Sequence, residues 1–336
     1  MGEKAKIVSK GGEPGALAMG SSNANGRREA IAVRGLAKSY GNGPVLEGFS
    51  ITVREGELYA LMGPNGSGKT TLNSILASVR VQDRGEVSIL GKAPAEAKGE
   101  VAYLPQDNFS VPSLTGRENL MYFAGLLGYP KGEAKGLVEG ILSKVGLSAV
   151  ADRRVSTYSG GMRKRLELGT ALFPCTKVML LDEPTTGLDP AARRSFLGLL
   201  KELTGSGITV LLTTHIGADA ECADRVGLID RGKLVIEGPP GELKEHSGVE
   251  TVVSVETSVM NSIIAATVAS FDGGKLLASE SGYRISTDHP EDVLPEMIRK
   301  LDSMGCRIVH IGASMPSLED VFFKLTDKTM AGGDAA

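Results

Sequence analysis

Between residues 30 and 240, short continuous apolar runs alternate with stretches in which apolar residues recur every third or fourth position. ELYALM (57–62), VMLL (178–181), ITVLLT (208–213) and RVGLID (225–230) have the length and character of strands buried on both faces. Leu72, Ile75, Leu76 and Val79 fall at i, i+3, i+4 and i+7, one face of a helix that begins near Gly68. Strands alternating with helices predict an α/β fold on a mainly parallel sheet.

After Glu242 the rhythm changes. TVVSVE (251–256) reads as a strand and 259–270 as a helix, and 275–279 with 283–287 read as a pair of strands around Ser281 and Gly282. Leu294, Met297, Ile298 and Leu301 give a second helical face, and 307–311 a closing strand. This βαββαβ order predicts a C-terminal α+β domain of ferredoxin-like type over 243–328. It ends in PSLEDVFFKLT (316–326), an amphipathic helix with Leu318, Val321, Phe322 and Leu325 on one side. Residues 1–28 and 329–336 lack any period and are expected to be tails, which leaves 29–242 as the first domain.

Composition changes this picture in two places. The 44 glycines in 336 residues are close to twice the roughly 7% of average usage, so the chain uses glycine for more than ordinary turns. With 37 Lys+Arg against 40 Asp+Glu the formal charge is −3, which offers no electrostatic footprint for a nucleic acid, and none is expected as a partner. Cys175, Cys222 and Cys306 are far apart and form no zinc-ligand spacing, as expected of a reducing compartment. The first residues carry no apolar core of signal-peptide length, and no run approaches the roughly 18 apolar residues that cross a bilayer. Any membrane involvement is therefore expected to run through another chain.

GPNGSGKT (63–70) follows a strand pattern and opens a helix, the context in which G-x-x-x-x-G-K-[ST] cradles phosphate. Gly63, Gly66 and Gly68 let successive backbone N–H groups converge on an anion at the helix start. Lys69 can then reach the β- and γ-phosphates, and the Thr70 hydroxyl can ligate Mg²⁺. In VMLLDEPTTGLDP (178–190) an apolar strand ends in Asp182 and Glu183. Ligands of parallel sheets bind at that end, so Asp182 is placed to hold Mg²⁺ and Glu183 to deprotonate a water. Taken alone, Asp-Glu before Pro is also ordinary turn chemistry, and a Gly-rich turn before a helix need hold nothing.

With YSGGMRKRLELGTALF (158–173) added, the order of motifs becomes specific. Phosphate loop, SGG segment, DEP-containing strand end, GLD and a later TTH together resemble the ATPase subunit of an ATP-binding cassette (ABC) transporter, over about residues 30–240. The resemblance implies a P-loop NTPase fold of the ABC nucleotide-binding type, with a small antiparallel β subdomain and a helical subdomain. It implies ATP with Mg²⁺, held by Gly63, Pro64, Asn65, Gly66, Ser67, Gly68, Lys69, Thr70 and Thr71, with adenine stacked on Tyr40. Thr70, Gln106 and Asp182 match the residues around the metal. Glu183, His215, Gln106 and Lys69 match the catalytic set. Ser159, Gly160 and Gly161 match residues that face the nucleotide held by a second copy, and Asp189 matches the nucleotide-site loop that crosses the dimer interface, so a homodimer with two ATPs is implied. Tyr158 and Met162 stand where the commonest pattern has Leu and Gln, a departure that the exporter-like branch shares.

The resemblance further implies a peripheral position on the cytoplasmic face of a membrane, beside a separate permease. PSLEDVFFKLT is similar to the end of stand-alone ATPases that serve permeases exporting drugs, polysaccharides, lipids or ions. The segment 106–127 is where the family inserts its permease-facing helices, with Leu120, Tyr122, Phe123 and Leu126 the candidates. Two other readings stay open: a non-transport ABC ATPase acting on ribosomes or DNA, and a nucleotide-gated regulatory module. Against the first stands a single uninterrupted cassette without a basic block. Basal hydrolysis stimulated by a membrane subunit would count against the second.

Overall fold

The computed structural model describes residues 6–7, 28–41, 43–247, 251–271, 277–278, 282–287, 289–314 and 316–326. It divides into two compact units, one running up to Glu242 and one formed by 243–327. Of the expected tails, 329–336 lie outside the described residues, and of 1–28 only 6, 7 and 28 lie within them.

In the first unit the chain runs through β1 (Lys6–Ile7), β2 (Glu29–Tyr40), β3 (Gly43–Arg54), β4 (Leu58–Met62), α1 (Lys69–Leu76), β5 (Arg84–Ile89) and β6 (Val101–Leu104). It continues through α2 (Gly116–Leu126), α3 (Lys131–Lys144), α4 (Gly160–Gly169), β7 (Val178–Asp182), α5 (Pro190–Gly205) and β8 (Thr209–Thr214). α6 (Gly217–Ala220), β9 (Arg225–Asp230), β10 (Lys233–Gly238) and α7 (Pro240–His246) follow. Seven strands form one sheet in the order β1-β10-β9-β4-β8-β7-β6. From β9 to β6 every pairing is parallel, while β10 and β1 close the edge antiparallel.

The interior strands β4, β7 and β8 are buried at every position, which is why their sequences are continuous apolar runs rather than alternating ones. A second, antiparallel sheet, β3-β2-β5, packs its apolar face into the same core, where Ile31, Leu36, Leu46 and Phe49 join Leu61, Leu72, Ile75, Leu180 and Leu211. Each such side chain contributes roughly 1.5–3 kcal/mol by leaving water. The helix α1 stops at Leu76, one turn short of the sequence expectation. Ser78 turns to φ 55, and the N–H groups of Val79 and Arg80 return to the Ser74 carbonyl. Val79 is consequently exposed instead of completing the apolar face.

The second unit carries β11 (Thr251–Thr257), α8 (Ser262–Ala269), β12 (Leu277–Ala278), β13 (Gly282–Thr287), α9 (Pro290–Ser303), β14 (Ile308–Ser314) and α10 (Leu318–Thr326). Its sheet order is β12-β13-β11-β14, antiparallel throughout, the arrangement of a ferredoxin-like unit. Val253, Val255 and Ile285 from the sheet pack on Ile264 and Val268 of α8 and on Met297 and Leu301 of α9. The helix α8 begins three residues after the expected start because Asn261 caps it, its Oδ1 accepting from the N–H of Ile263 and Ile264. Val259 and Met260 precede that cap and are exposed. Along α10, Leu318, Val321 and Phe322 are buried and Phe323 is exposed.

Candidate functional site

Four neighbouring parallel strands, β4, β8, β7 and β6, deliver their carboxyl ends to one place. After β4 comes the 63–70 loop, after β8 His215, at the end of β7 Asp182 and Glu183, and just beyond β6 Gln106. This is where open parallel sheets bind ligands.

The loop is closed by its own backbone. Gly63 donates to Thr214 at 3.1 Å and Ser67 to Pro64 at 3.3 Å, and Gly68 caps α1 at φ 106. A Cβ at Gly68 would lie 2.7 Å from Leu46 Cδ2, so both conformation and space demand glycine there. Pro64, Asn65, Gly66 and Thr70 are partly or fully exposed at the mouth, and Ser67 is buried with an unpartnered hydroxyl. Lys69 folds back over the loop, its Nζ donating to the carbonyls of Gly63 (2.7 Å) and Pro64 (2.9 Å). Burial pulls its pKa below the ordinary lysine value, while Glu183 and Asp182 push it back up.

Glu183 is the hub. Its Oε1 lies 3.6 Å from Lys69 Nζ, and its Oε2 lies 3.1 Å from His215 Nδ1. Gln106 Nε2 and Thr186 Oγ1 donate to Oε2 at 3.5 and 3.4 Å. The residue is buried and held at φ 47, a left-handed conformation that costs about 1–3 kcal/mol in a non-glycine residue. The N–H of Glu183, donating to Thr213 at 3.0 Å, is one of the bonds that fix it. Beside it Asp182 Oδ1 accepts from Thr213 Oγ1 at 2.6 Å, and Asp182 Oδ2 is buried with no partner. A buried carboxylate oxygen left without a partner is the kind of hard oxygen ligand that a divalent cation takes.

Tyr40 lines a cavity of about 310 Å³ with Thr70, Thr71, Ser74 and Arg80. The Arg80 guanidinium lies 5.3 Å from the centre of the Tyr40 ring. The other expected residues are not brought to this cluster. Ser159 caps α4 through Met162 N–H (3.3 Å), and Asp189 caps α5 through the N–H groups of Ala191 and Ala192 (3.0 and 2.9 Å). Those two helix starts pack on each other: a Cβ on Gly161 would sit 2.8 Å from Ala192 Cβ. Among the described residues no hydrogen bond joins Ser159, Gly160, Gly161 or Asp189 to the 63–70 loop.

Several participants had no motif to announce them. Thr213 and Thr186, single hydroxyls in a strand and a turn, hold the two carboxylates. Arg80 lies beyond α1 and reaches Tyr40 only through the fold. Asp219, fully buried, accepts from Thr185 and from Thr214 (3.0 Å) and faces Arg193, which ties the His215 strand end to the segment after Glu183. Burial pushes its pKa above the usual carboxylate value. The sequence signal for Asp219 is only its position four residues beyond His215.

A glycine-rich anion loop with its lysine, set at the strand ends beside a buried acidic pair, defines a P-loop nucleotide hydrolase. The chain belongs to the ABC transporter family, whose model matches residues 46–186. It is 30% identical over 308 residues to the linearmycin resistance ATP-binding protein LnrL of Bacillus subtilis, a match that covers 89% of this chain and 99% of that one. The daunorubicin resistance ATP-binding protein DrrA2 of Streptomyces coeruleorubidus is 34% identical, covering 88% and 95%. The Nod factor export ATP-binding protein I of a Rhizobium strain is 34% identical, covering 90% and 98%. Among solved structures, the CbiO1 subunit from Clostridium perfringens, part of an ABC transporter complex, superposes with a TM-score of 0.61 at 26% identity, covering 65% of this chain and 91% of that one. The chain is thus an ATP-binding, ATP-hydrolysing subunit of the ABC type.

Proposed function

We propose that this ATPase energises export through a separate membrane-spanning permease, working as a homodimer that closes on two ATP molecules. The observation that carries the reading is the Glu183 carboxylate, buried and ringed by Lys69, Gln106, Thr186 and His215 beside the phosphate loop.

In this reading the 63–70 backbone and Lys69 bind the phosphates and the base lies against Tyr40. Glu183 accepts a proton from the water that attacks the γ-phosphorus, while Gln106 and His215 hold that carboxylate and the water in line. Asp182, Thr70 and Gln106 would hold Mg²⁺, which neutralises phosphate charge when bound. Support for a second copy comes from the start of α4, where the free N–H groups of Gly160 and Gly161 make an anion site with no tie to its own chain's loop. Loss of the γ-phosphate then removes the contact that holds the two copies closed.

Support for a permease comes from α2. Leu120 is core, but Tyr122 and Leu126, one turn apart on α2, are exposed at 51% and 64%, as is the Leu127 that follows the helix at 53%. Among the described residues no helix is long and apolar enough to cross a membrane; in this reading the partner chain makes the crossing and this one binds at its cytoplasmic face. Support for export comes from the likeness to the Nod factor export ATP-binding protein I, matched over 90% of this chain and 98% of that one. The test is affinity capture of the tagged chain from solubilised native membranes, with ATP hydrolysis assayed on what co-purifies. Co-purification of a polytopic protein, with hydrolysis stimulated several-fold over the isolated subunit, is expected. Capture of ribosomal or DNA partners with no polytopic protein would overturn the reading.

A further inference from the structure

Gln106 reaches Glu183 from the start of a loop, and that loop is fastened to α4 by two charged side chains that the reading above does not use. Lys164, 8% exposed, donates from Nζ to the Gln106 carbonyl at 3.0 Å. Three residues on, Glu167 is 1% exposed and lies 3.5 Å from the same ammonium. Its Oε1 accepts from Ser110 Oγ (2.8 Å) and lies within reach of the N–H groups of Phe109 (3.3 Å) and Ser110 (3.4 Å). Two buried polar side chains thus direct their hydrogen bonds to the 106–110 segment, at the Gln106 carbonyl and at Phe109 and Ser110. A Met or Leu would fill much of the same space with less desolvation, so the pair calls for a positional role.

The far side of the loop is tied to α2. The Phe109 ring meets Phe123 edge-on at 5.7 Å, Phe123 meets Tyr122 at 5.5 Å, and Asn119 bonds both the N–H and the carbonyl of Val111. The loop is therefore fastened to both α2 and α4, while Gln106 at its start touches Glu183.

We propose that Lys164 and Glu167 are positioning residues for hydrolysis: they lock the Gln106 loop to the helix that begins at Ser159, so that a shift of α4 or α2 sets the place of Gln106 against Glu183. This deepens the ATPase reading and rests on it. Because Lys69, the 63–70 backbone and Tyr40 lie outside the link, it acts on turnover and not on ATP binding.

The experiment uses the full chain and four variants, Lys164→Met, Lys164→Arg, Gln106→Ala and the double variant of Lys164→Met with Gln106→Ala, measuring ATP affinity, kcat and the urea midpoint of each. Lys164→Met is expected to lower kcat by about tenfold or more, the range typical of lost supporting hydrogen bonds, with ATP affinity unchanged within about twofold. Lys164→Arg, which can still bond the carbonyl and Glu167, should recover most of the rate. In the Gln106→Ala background Lys164→Met should add nothing further, since it acts through that residue. The inference fails if Lys164→Met leaves kcat intact, if its loss multiplies with that of Gln106→Ala, or if kcat falls only in step with affinity and the urea midpoint. Absence of hydrolysis by the wild-type chain would remove the ATPase reading itself, whereas hydrolysis with an indifferent Lys164→Met removes this inference alone.

Discussion

At the scale of single residues, the site depends on a few side chains held where water cannot easily compete. Tyr40 presents its ring to a cavity whose other walls, Thr70, Thr71, Ser74 and Arg80, are polar, so in the proposed function its ring would be the main apolar grip on a base. Tyr40→Ala should weaken ATP binding by about 1–3 kcal/mol, the usual worth of one base on one aromatic ring, while Tyr40→Phe should keep it. Isothermal titration with ATP reads both. Gly68 allows a sharper stability test. At φ 106, with Leu46 Cδ2 2.7 Å from any Cβ, Gly68→Ala should cost about 1–3 kcal/mol in urea unfolding, before any effect on nucleotide. Lys69, Asp182, Glu183 and the loop were legible because each belongs to a motif whose spacing has a chemical reason. Thr186, Thr213 and Arg80 were not, because one hydroxyl or one guanidinium carries no pattern until the fold brings it to a carboxylate or a ring.

At the scale of elements, the parallel strands are the best-specified part of the chain. RVGLID is a strand over the same six residues, 225–230, as its apolar run suggested. Boundaries at helix ends depended on backbone turns that periodicity does not register, such as Ser78 at φ 55 after α1 and the Asn261 cap before α8. Leu180, fully buried at the centre of β7, sits behind the acidic pair, and Leu180→Ala should cost about 2–5 kcal/mol in denaturant unfolding. The approach to β6 and β7 is joined by Glu100, which pairs with Lys92 and Lys177 at 2.5 Å each. Those two hydrogen-bonded ammonium groups lower the Glu100 pKa from 4.5 to about 2. A carboxylate with a depressed folded-state pKa stabilises above its unfolded value and loses that contribution as pH falls. Glu100→Gln should therefore lower the thermal midpoint slightly at pH 7, and the gap from wild type should close as pH drops from about 4.5 toward 2. A gap that stays constant across that range would assign the effect to packing instead.

At the scale of the whole molecule, one chain contains two half-sites that do not meet. The phosphate loop, Asp182, Glu183, Gln106 and His215 converge, whereas Ser159, Gly160 and Gly161 form a helix start that packs near Leu188 and Ala192. In the proposed function two copies complete each other, each lending its α4 to the partner's nucleotide. Periodicity alone does not show this, because the distance between motifs in space is set by the sheet order and not by the sequence. Glu183→Gln tests it most directly, since the amide keeps the size of the carboxylate but cannot accept the proton of the attacking water. Light scattering of Glu183→Gln with ATP and Mg²⁺, alongside steady-state hydrolysis, should show a stable dimer holding two ATPs and turnover reduced at least about a hundredfold. A monomer under saturating ATP, or turnover at the wild-type rate, would contradict the account.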